Sequence, residues 1–301
     1  CGRWLRRGNT LGVAREALPR IVSSSEVIGE TTTDVLPRSI PIAGIAGDQQ
    51  AALFGQNCFD AGQAKNTYGT GCFLMLNTGT QRVNSEHQLL TTIAWRKDDQ
   101  LTYALEGAVF VAGSLLQWMR DKMQFFSDVP ETETMAMSVE NTDGVYLVPA
   151  FVGLGAPHWD AYARGLMIGL TRNTSKAHLV RAGLEAIAYQ SAEVLQCMEA
   201  DLGHPLQELR IDGGASANEF LAQFQANLLG LTVRRPQNRE STAMGAAFLA
   251  GLATEVWNSQ DELRQAWRED RHFTPAFTLE ERQQRMAGWL RAEERAKLWE
   301  V

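Results

Sequence analysis

Between residues 209 and 252 the chain alternates strand-like and helix-like segments, at residues 209–212, 218–229, 231–235 and 241–252. Such alternation restricts the fold to α/β, because consecutive strands separated by a helix pair in parallel through a crossover connection. Upstream, short apolar runs at residues 64–68, 72–76, 90–95 and 101–106 are each bounded by Gly, Asn or Asp and predict a strand-rich meander. A helical pattern follows at 112–123 and a further strand at 145–148. The longest helical signal spans 176–202, where Val180, Leu184, Ile187, Leu195, Met198 and Leu202, with Ser191 between, mark one apolar face. Residues 12–30 read as a short helix and loop, and the charged, periodic tail from 260 to 300 as two surface helices.

Composition narrows the function. With 28 Lys and Arg against 35 Asp and Glu, the net charge of −7 argues against a nucleic-acid or anionic-membrane surface. No apolar run is long enough to span a bilayer, and the start, Cys1-Gly2-Arg3-Trp4-Leu5-Arg6-Arg7, lacks the apolar core of a secretion signal. Cys1, Cys58, Cys72 and Cys197 show neither zinc-ligand spacing nor a disulfide framework, so a reducing cytoplasm is the expected location and no protein-held metal is expected. The missing initiator Met suggests a piece of a longer chain.

Four segments carry chemistry. GDQQAALFG, residues 47–55, sets Asp48 and two amides between an apolar strand (40–46) and a small-residue helix. Ligands of open α/β sheets bind outside the carboxyl ends of strands, so Asp48 is placed either to activate a hydroxyl or simply to cap the helix. KNTYGTGCFLMLNTG, 65–79, reads as a tight hairpin whose Gly69 and Gly71 admit a ligand close to the backbone, with the Thr70 hydroxyl as a phosphate donor. IDGGASANEF, from Ile211, ends a strand on Gly213 and Gly214 and opens a helix, a junction suited to an anion or purine. Asn218 there is a helix cap or an adenine contact. ESTAMGAAFLAGLA, 240–253, predicts a helix packed closely on a neighbour through its small residues, and His158 in a glycine-rich loop is a candidate base or a packing residue.

In this order the segments resemble the carboxy-terminal half of the glycerol kinases, sugar kinases with an FGGY-type carboxy-terminal domain. The resemblance runs from about Ser24 to about Leu298 and rests on GDQQAALFG, KNTYGTGCF, YALEGAVFVAGSLLQWMRD (103–121), GLGAPHWDAYARG (153–165) and the glycine-spaced run from Gly165 to Glu185. It implies a ribonuclease-H-like, actin-like ATPase domain with a mixed sheet flanked by helices, truncated at its amino terminus. The implied division is a leading segment at 1–30, the ATPase domain at 31–257 and carboxy-terminal helices at 258–301. The implied reaction is ATP-dependent phosphorylation of glycerol to sn-glycerol 3-phosphate, with Mg2+ carried on the nucleotide phosphates, in a homo-oligomeric intact protein. Asp48 would be the general base, Gln49 would hydrogen-bond glycerol and Phe73 would pack on its carbon face. Thr70, Gly113, Gln117, Gly214 and Asn218 match the family's ATP-binding positions, Thr70 near the phosphates and the last two around adenine.

Three departures qualify the resemblance. The amino-terminal half of the cleft, with its phosphate loop and Mg2+-associated Asp, has no counterpart, so this stretch is expected to be inactive alone. CGRWLRRGNTL at 1–11 does not resemble the family. TTTDVLPRS at 31–39 lacks the Gly-rich loop with an Arg by which some bacterial relatives bind a sugar bisphosphate, so that regulation is not expected.

Overall fold

A computed structural model describes residue 12 and residues 14–34 and 36–300; the unmatched stretch 1–11 lies outside them. Its centre is a seven-stranded mixed sheet. The strands are β3 (Ala64–Tyr68), β4 (Cys72–Gly79), β5 (Leu90–Lys97), β6 (Gln100–Val109), β9 (Glu208–Asp212), β10 (Thr232–Pro236) and β11 (Glu269–Phe273), in the spatial order β11-β10-β9-β3-β4-β6-β5. The alternating region behaves as its pattern predicts: β9 and β10 are parallel and joined through helix α5 (Glu219–Leu229), and β9 is also parallel to β3. β3, β4, β6 and β5 pair antiparallel, but β4 lies beside β6 and not beside β5, which takes the sheet edge. Two two-stranded antiparallel sheets complete the strands among the described residues, β1 (Ser25–Glu30) with β2 (Pro41–Gly44) and β7 (Tyr146–Val148) with β8 (Leu166–Ile168).

Side-chain alternation gives the sheet two buried faces. Leu74, Leu76, Leu105, Leu209 and Ile211 face the long helix α4 (Lys176–Leu202) and α5. Ser191, which interrupts the apolar face of α4, is buried there; its hydroxyl donates to Ile187 O at 2.9 Å and accepts from Asn66 Nδ2 at 3.1 Å. Met75, Ala104 and Trp95 line the opposite face with α1 (Asp48–Gly55) and α6 (Ser241–Ala253), which contribute Leu53, Phe54, Phe248 and Leu249.

Helices α2 (Gly113–Asp121) and α3 (Glu131–Met137) lie between β6 and β7 in the chain, and α7 (Gln260–Ala266) and α8 (Leu279–Glu294) follow α6. The tail differs from a pair of surface helices in two respects. Residues 269–273 form β11, which pairs antiparallel with β10, and α8 buries Met286, Trp289, Ala292 and Glu293. The Trp289 ring stacks on Tyr189 of α4 with centroids 5.2 Å apart. The start of the described chain also differs: residues 25–30 read as loop yet form β1, because β2 and α6 supply the partners that a local pattern cannot show. Ser25 Oγ donates to Leu249 O at 2.7 Å.

Among the small residues of α6, Gly245 and Gly251 are buried in close contact as the sequence predicts, whereas Ala243, Ala246 and Ala247 are exposed. Gly245 lies so close to α1 that a Cβ there would stand 1.8 Å from Ala51 O. Gly245→Ala should therefore push α6 off α1 and cost at least the ~1–3 kcal/mol typical of overpacking, since backbone cannot yield as a side chain does. Urea unfolding measures this, and an unchanged midpoint would mean that the two helices are not locked together.

Candidate functional site

One hairpin organises the site. β3 and β4 are joined by Gly69, Thr70 and Gly71, as the sequence predicts, with Tyr68 paired to Cys72 across the stem. At the tip, Gly69 O accepts from Gly113 N at 3.0 Å, and Thr70 O accepts from Ala112 N at 2.9 Å and Ser114 N at 3.1 Å. The tip is thereby docked against the amino end of α2. A Cβ at Gly113 would meet Gly69 O at 2.5 Å, so glycine is what permits this approach. On the other side, Gly213 adopts φ +82° and would bring a Cβ within 2.5 Å of Tyr68 O. Two glycine-bearing segments, far apart in sequence, thus converge on residues 68–70.

Of the nucleotide candidates, Thr70 lies in this tip, Gly113 contacts it and Gly214 adjoins Gly213. Thr70, Gln117 and Gly214 are exposed, and Gly113 is half-buried. Gln117 follows Gly113 by one helical turn, so both lie along the same side of α2. A Cβ at Gly214 would meet nothing within 4 Å, leaving open space over its backbone. The chain then makes a 3-10 turn, Gly214–Ala217, before α5. Asn218 is the helix cap: its Oδ1 accepts from Leu221 N at 2.9 Å and its Nδ2 donates to Thr132 Oγ1 at 3.1 Å. It remains half-buried, with one amide hydrogen and one carbonyl lone pair beyond those bonds.

The substrate candidates sit along the stem. Asp48 opens α1, but the residue at the N-cap position is Gly47 and no side chain caps this helix. The Asp48 carboxylate is exposed and, among the described residues, accepts only from its neighbour, Gln49 N, at 2.7 Å, so it faces outward at the positive end of α1. Gln49 is half-buried and its Oε1 accepts a short hydrogen bond from Lys65 Nζ. Phe73 is half-buried on β4 opposite Thr67, with Ala108 on its other side. Phe73 and Thr70 are three residues apart on one strand and turn, a span of roughly 10 Å at the usual rise per residue.

Beneath these groups lies a polar floor that the sequence reading missed. Lys65 is fully buried, and its ammonium also donates to Thr67 Oγ1 at 2.9 Å and to Phe73 O at 3.1 Å. Burial depresses its pKa from 10.5 to about 8, opposed chiefly by the Asp212 charge and more weakly by Glu106 and Asp48. Asp212, 1% exposed, stands opposite Thr67 in the parallel ladder; its Oδ2 accepts from Gln56 Nε2 at 2.9 Å, and Oδ1 has no hydrogen-bond partner among the described residues. Burial also pushes the Glu106 carboxyl above its ordinary range, with the nearby Lys65 charge acting against the shift. Two signals were available in the sequence: a lysine inside an otherwise buried strand, and an acid at a strand end followed by two glycines. His158 is not part of this floor. Its ring lies against Glu193 and Glu293.

Lys65 makes stability depend on pH in a definite direction. Its folded pKa is near 8 and its unfolded value near 10.5, so between them the unfolded chain binds more protons and stability rises with pH. The cost of burying the ammonium is present in full below that window and relieved across it. Relative to Lys65→Met, the wild type should gain about 3 kcal/mol between pH 7 and 10.5, from 1.36 kcal/mol per pKa unit. Denaturant unfolding of both proteins at the two pH values tests this, and a pH-independent difference would refute it.

Residues 64–254 match the FGGY family of carbohydrate kinases, C-terminal domain. A glycerol kinase of Symbiobacterium thermophilum is 58% identical over 289 residues, and one of Deinococcus radiodurans 54% identical over 290. Each alignment covers 96% of this chain and 58% of the relative, so the chain spans a little over half the length of the curated relatives it matches. Among solved structures, Plasmodium falciparum glycerol kinase with ADP superposes with a TM-score of 0.91 at 38% identity, over 97% of this chain and 59% of that one. A xylulose kinase of Lactobacillus acidophilus, 22% identical with a TM-score of 0.81 over 97% of this chain and 58% of that one, shares the fold. With a mixed sheet flanked by helices, and with the family match running from β3 through α6, the chain belongs to the FGGY family of carbohydrate kinases and has their actin-like ATPase fold.

Proposed function

We propose that this chain forms the carboxy-terminal part of an ATP-dependent glycerol kinase that makes sn-glycerol 3-phosphate. The observation that carries the reading is the β3–β4 hairpin, whose stem bonds through Lys65 to Gln49, the neighbour of Asp48 at the start of α1, and whose tip packs against Gly113 and Gly213. The identity to glycerol kinases, more than half of the aligned positions, supports glycerol over another polyol.

Asp48 is the general base. Its exposed carboxylate takes the proton of the attacking hydroxyl as that oxygen bonds to the transferring phosphorus and ADP leaves. Gln49 binds a glycerol hydroxyl through the amide hydrogens that its Oε1 contact with Lys65 leaves available. Lys65 is a positioning residue, since a buried ammonium with three oxygen partners fixes the Gln49 amide. Phe73 covers the carbon face of the triol. ATP supplies the phosphoryl group, with Mg2+ on its phosphates. The open backbone at Gly214 and the exposed Thr70 fit such a ligand, and Gly113, Gln117 and Asn218 are its further contacts on this reading.

The test uses the polypeptide with the remaining length found in the relatives. It should phosphorylate glycerol in preference to xylulose and gluconate, and a clear preference for either sugar would overturn the substrate assignment. Asp48→Asn in that protein should lower kcat by about 10²–10⁴-fold with ATP affinity nearly unchanged, measured by coupled assay and calorimetry. Unaltered turnover would remove Asp48 from the mechanism.

A further inference from the structure

Three segments far apart in sequence meet away from the polar floor: the glycine-rich loop at 153–165, α4 and α8. His158 Nε2 of the loop lies 2.9 Å from Glu293 Oε1 of α8 and 3.4 Å from Glu193 Oε2 of α4. One imidazole nitrogen and one oxygen from each carboxylate all fall within 4.8 Å of one another. Glu293 is 0% exposed and Glu193 7%.

The carboxylates are poorly satisfied. Neither oxygen of Glu293, nor Oε1 of Glu193, meets hydrogen-bond geometry with a partner among the described residues, although the Trp289 indole N–H lies close enough to Glu193 to act on its charge. The imidazole contributes one Nε2 position, and its hydrogen-bond geometry is met toward Glu193 alone. Lys297 Nζ, at 3.6 Å from Glu293 Oε2, stays partly exposed and offers only a long ion pair. Buried carboxylates are costly unless paired or coordinated, so two of them converging on one ring nitrogen leave room in the electrostatics for a cation among all three.

We propose that His158, Glu193 and Glu293 form a binding site for one divalent transition-metal ion. One imidazole nitrogen with two carboxylate oxygens suits Zn2+, Mn2+, Fe2+ or Co2+, whereas Ca2+ and Mg2+ prefer oxygen alone. Three protein ligands leave a coordination position for water, and the His158 side chain, 20% exposed, gives a way in. The ion ties the loop to α4 and α8. The same loop is anchored to the sheet by the bond from Ala156 N to Ala108 O, 3.1 Å, and Ala108 is the ladder neighbour of Phe73. The site thus braces the loop behind the substrate candidates without touching them. The sequence gives no ligand spacing for it because each ligand comes from a different segment.

The experiment is Zn2+ titration of the chelator-treated chain by calorimetry, with Co2+ visible absorption and thermal denaturation alongside. One ion per chain should bind, and the melting temperature should rise with added Zn2+. Losing one ligand in Glu293→Gln or His158→Gln should weaken binding at least ~10-fold, the lower bound for disturbing a metal's immediate surroundings. His158 is the less buried of the two, so its variant keeps the test available if Glu293→Gln does not fold. Absence of saturable binding to the wild type, or equal affinity in His158→Gln, would overturn the site.

Discussion

Backbone-to-backbone approach at the β3–β4 hairpin is the constraint on which the site depends. Gly113 and Gly213 bring two distant turns to within contact of residues 68–70, where any Cβ would collide with a carbonyl oxygen. Side chains cannot mediate such contacts without thickening the site by their own size. The hairpin therefore acts as a spacer of fixed length between the Asp48–Gln49 turn on its stem and the Thr70, Gly113 and Gly214 backbone at its tip. On the reading proposed for this family member, phosphoryl transfer needs that fixed spacing more than it needs reactive side chains, because positioning and electrostatics supply most of the catalysis.

The second requirement is electrical. A lysine buried in a strand is destabilising unless oxygen atoms surround it, and Lys65 has Gln49, Thr67 and the Phe73 carbonyl as direct partners with Asp212 and Glu106 close enough to act on its charge. This arrangement converts a burial cost into rigidity at Gln49. It also explains why the face of the sheet under α1 is polar near the carboxyl ends of β3 and β9 but apolar further along, where Met75, Phe54 and Phe248 pack. The opposite face is covered by α4 with a mainly apolar core, in which Asn66 Nδ2 donates to Ser191 Oγ while Asn66 Oδ1 has no partner among the described residues.

Much of this was legible in the residues. The βαβ alternation after residue 208, the hairpin at Gly69–Gly71, and the close packing of α6 at Gly245 and Gly251 express local or nearest-neighbour rules, and each stands in the structure as its pattern predicts. Asn218 is also instructive, since its default role as a cap is realised, leaving only part of its amide for any ligand. The misses share a cause. β1 and β11 are held by pairing with β2 and β10, Trp289 by stacking on Tyr189, and Lys65 by Gln49 of α1 in addition to Thr67 and Phe73 of its own hairpin, and a local pattern does not show which of these segments meet.

The sequence by itself determined the α/β class, the position of each glycine turn and the chemical types available at the site, because helix period, strand alternation and glycine's freedom are properties of short stretches of chain. Only the tertiary structure decided that Asp48 stays exposed at a helix start instead of capping it, that Lys65 and Asp212 form a buried floor, and that His158 leaves the site to meet Glu193 and Glu293. The physical reason is that burial and charge pairing depend on which distant segments the sheet brings together.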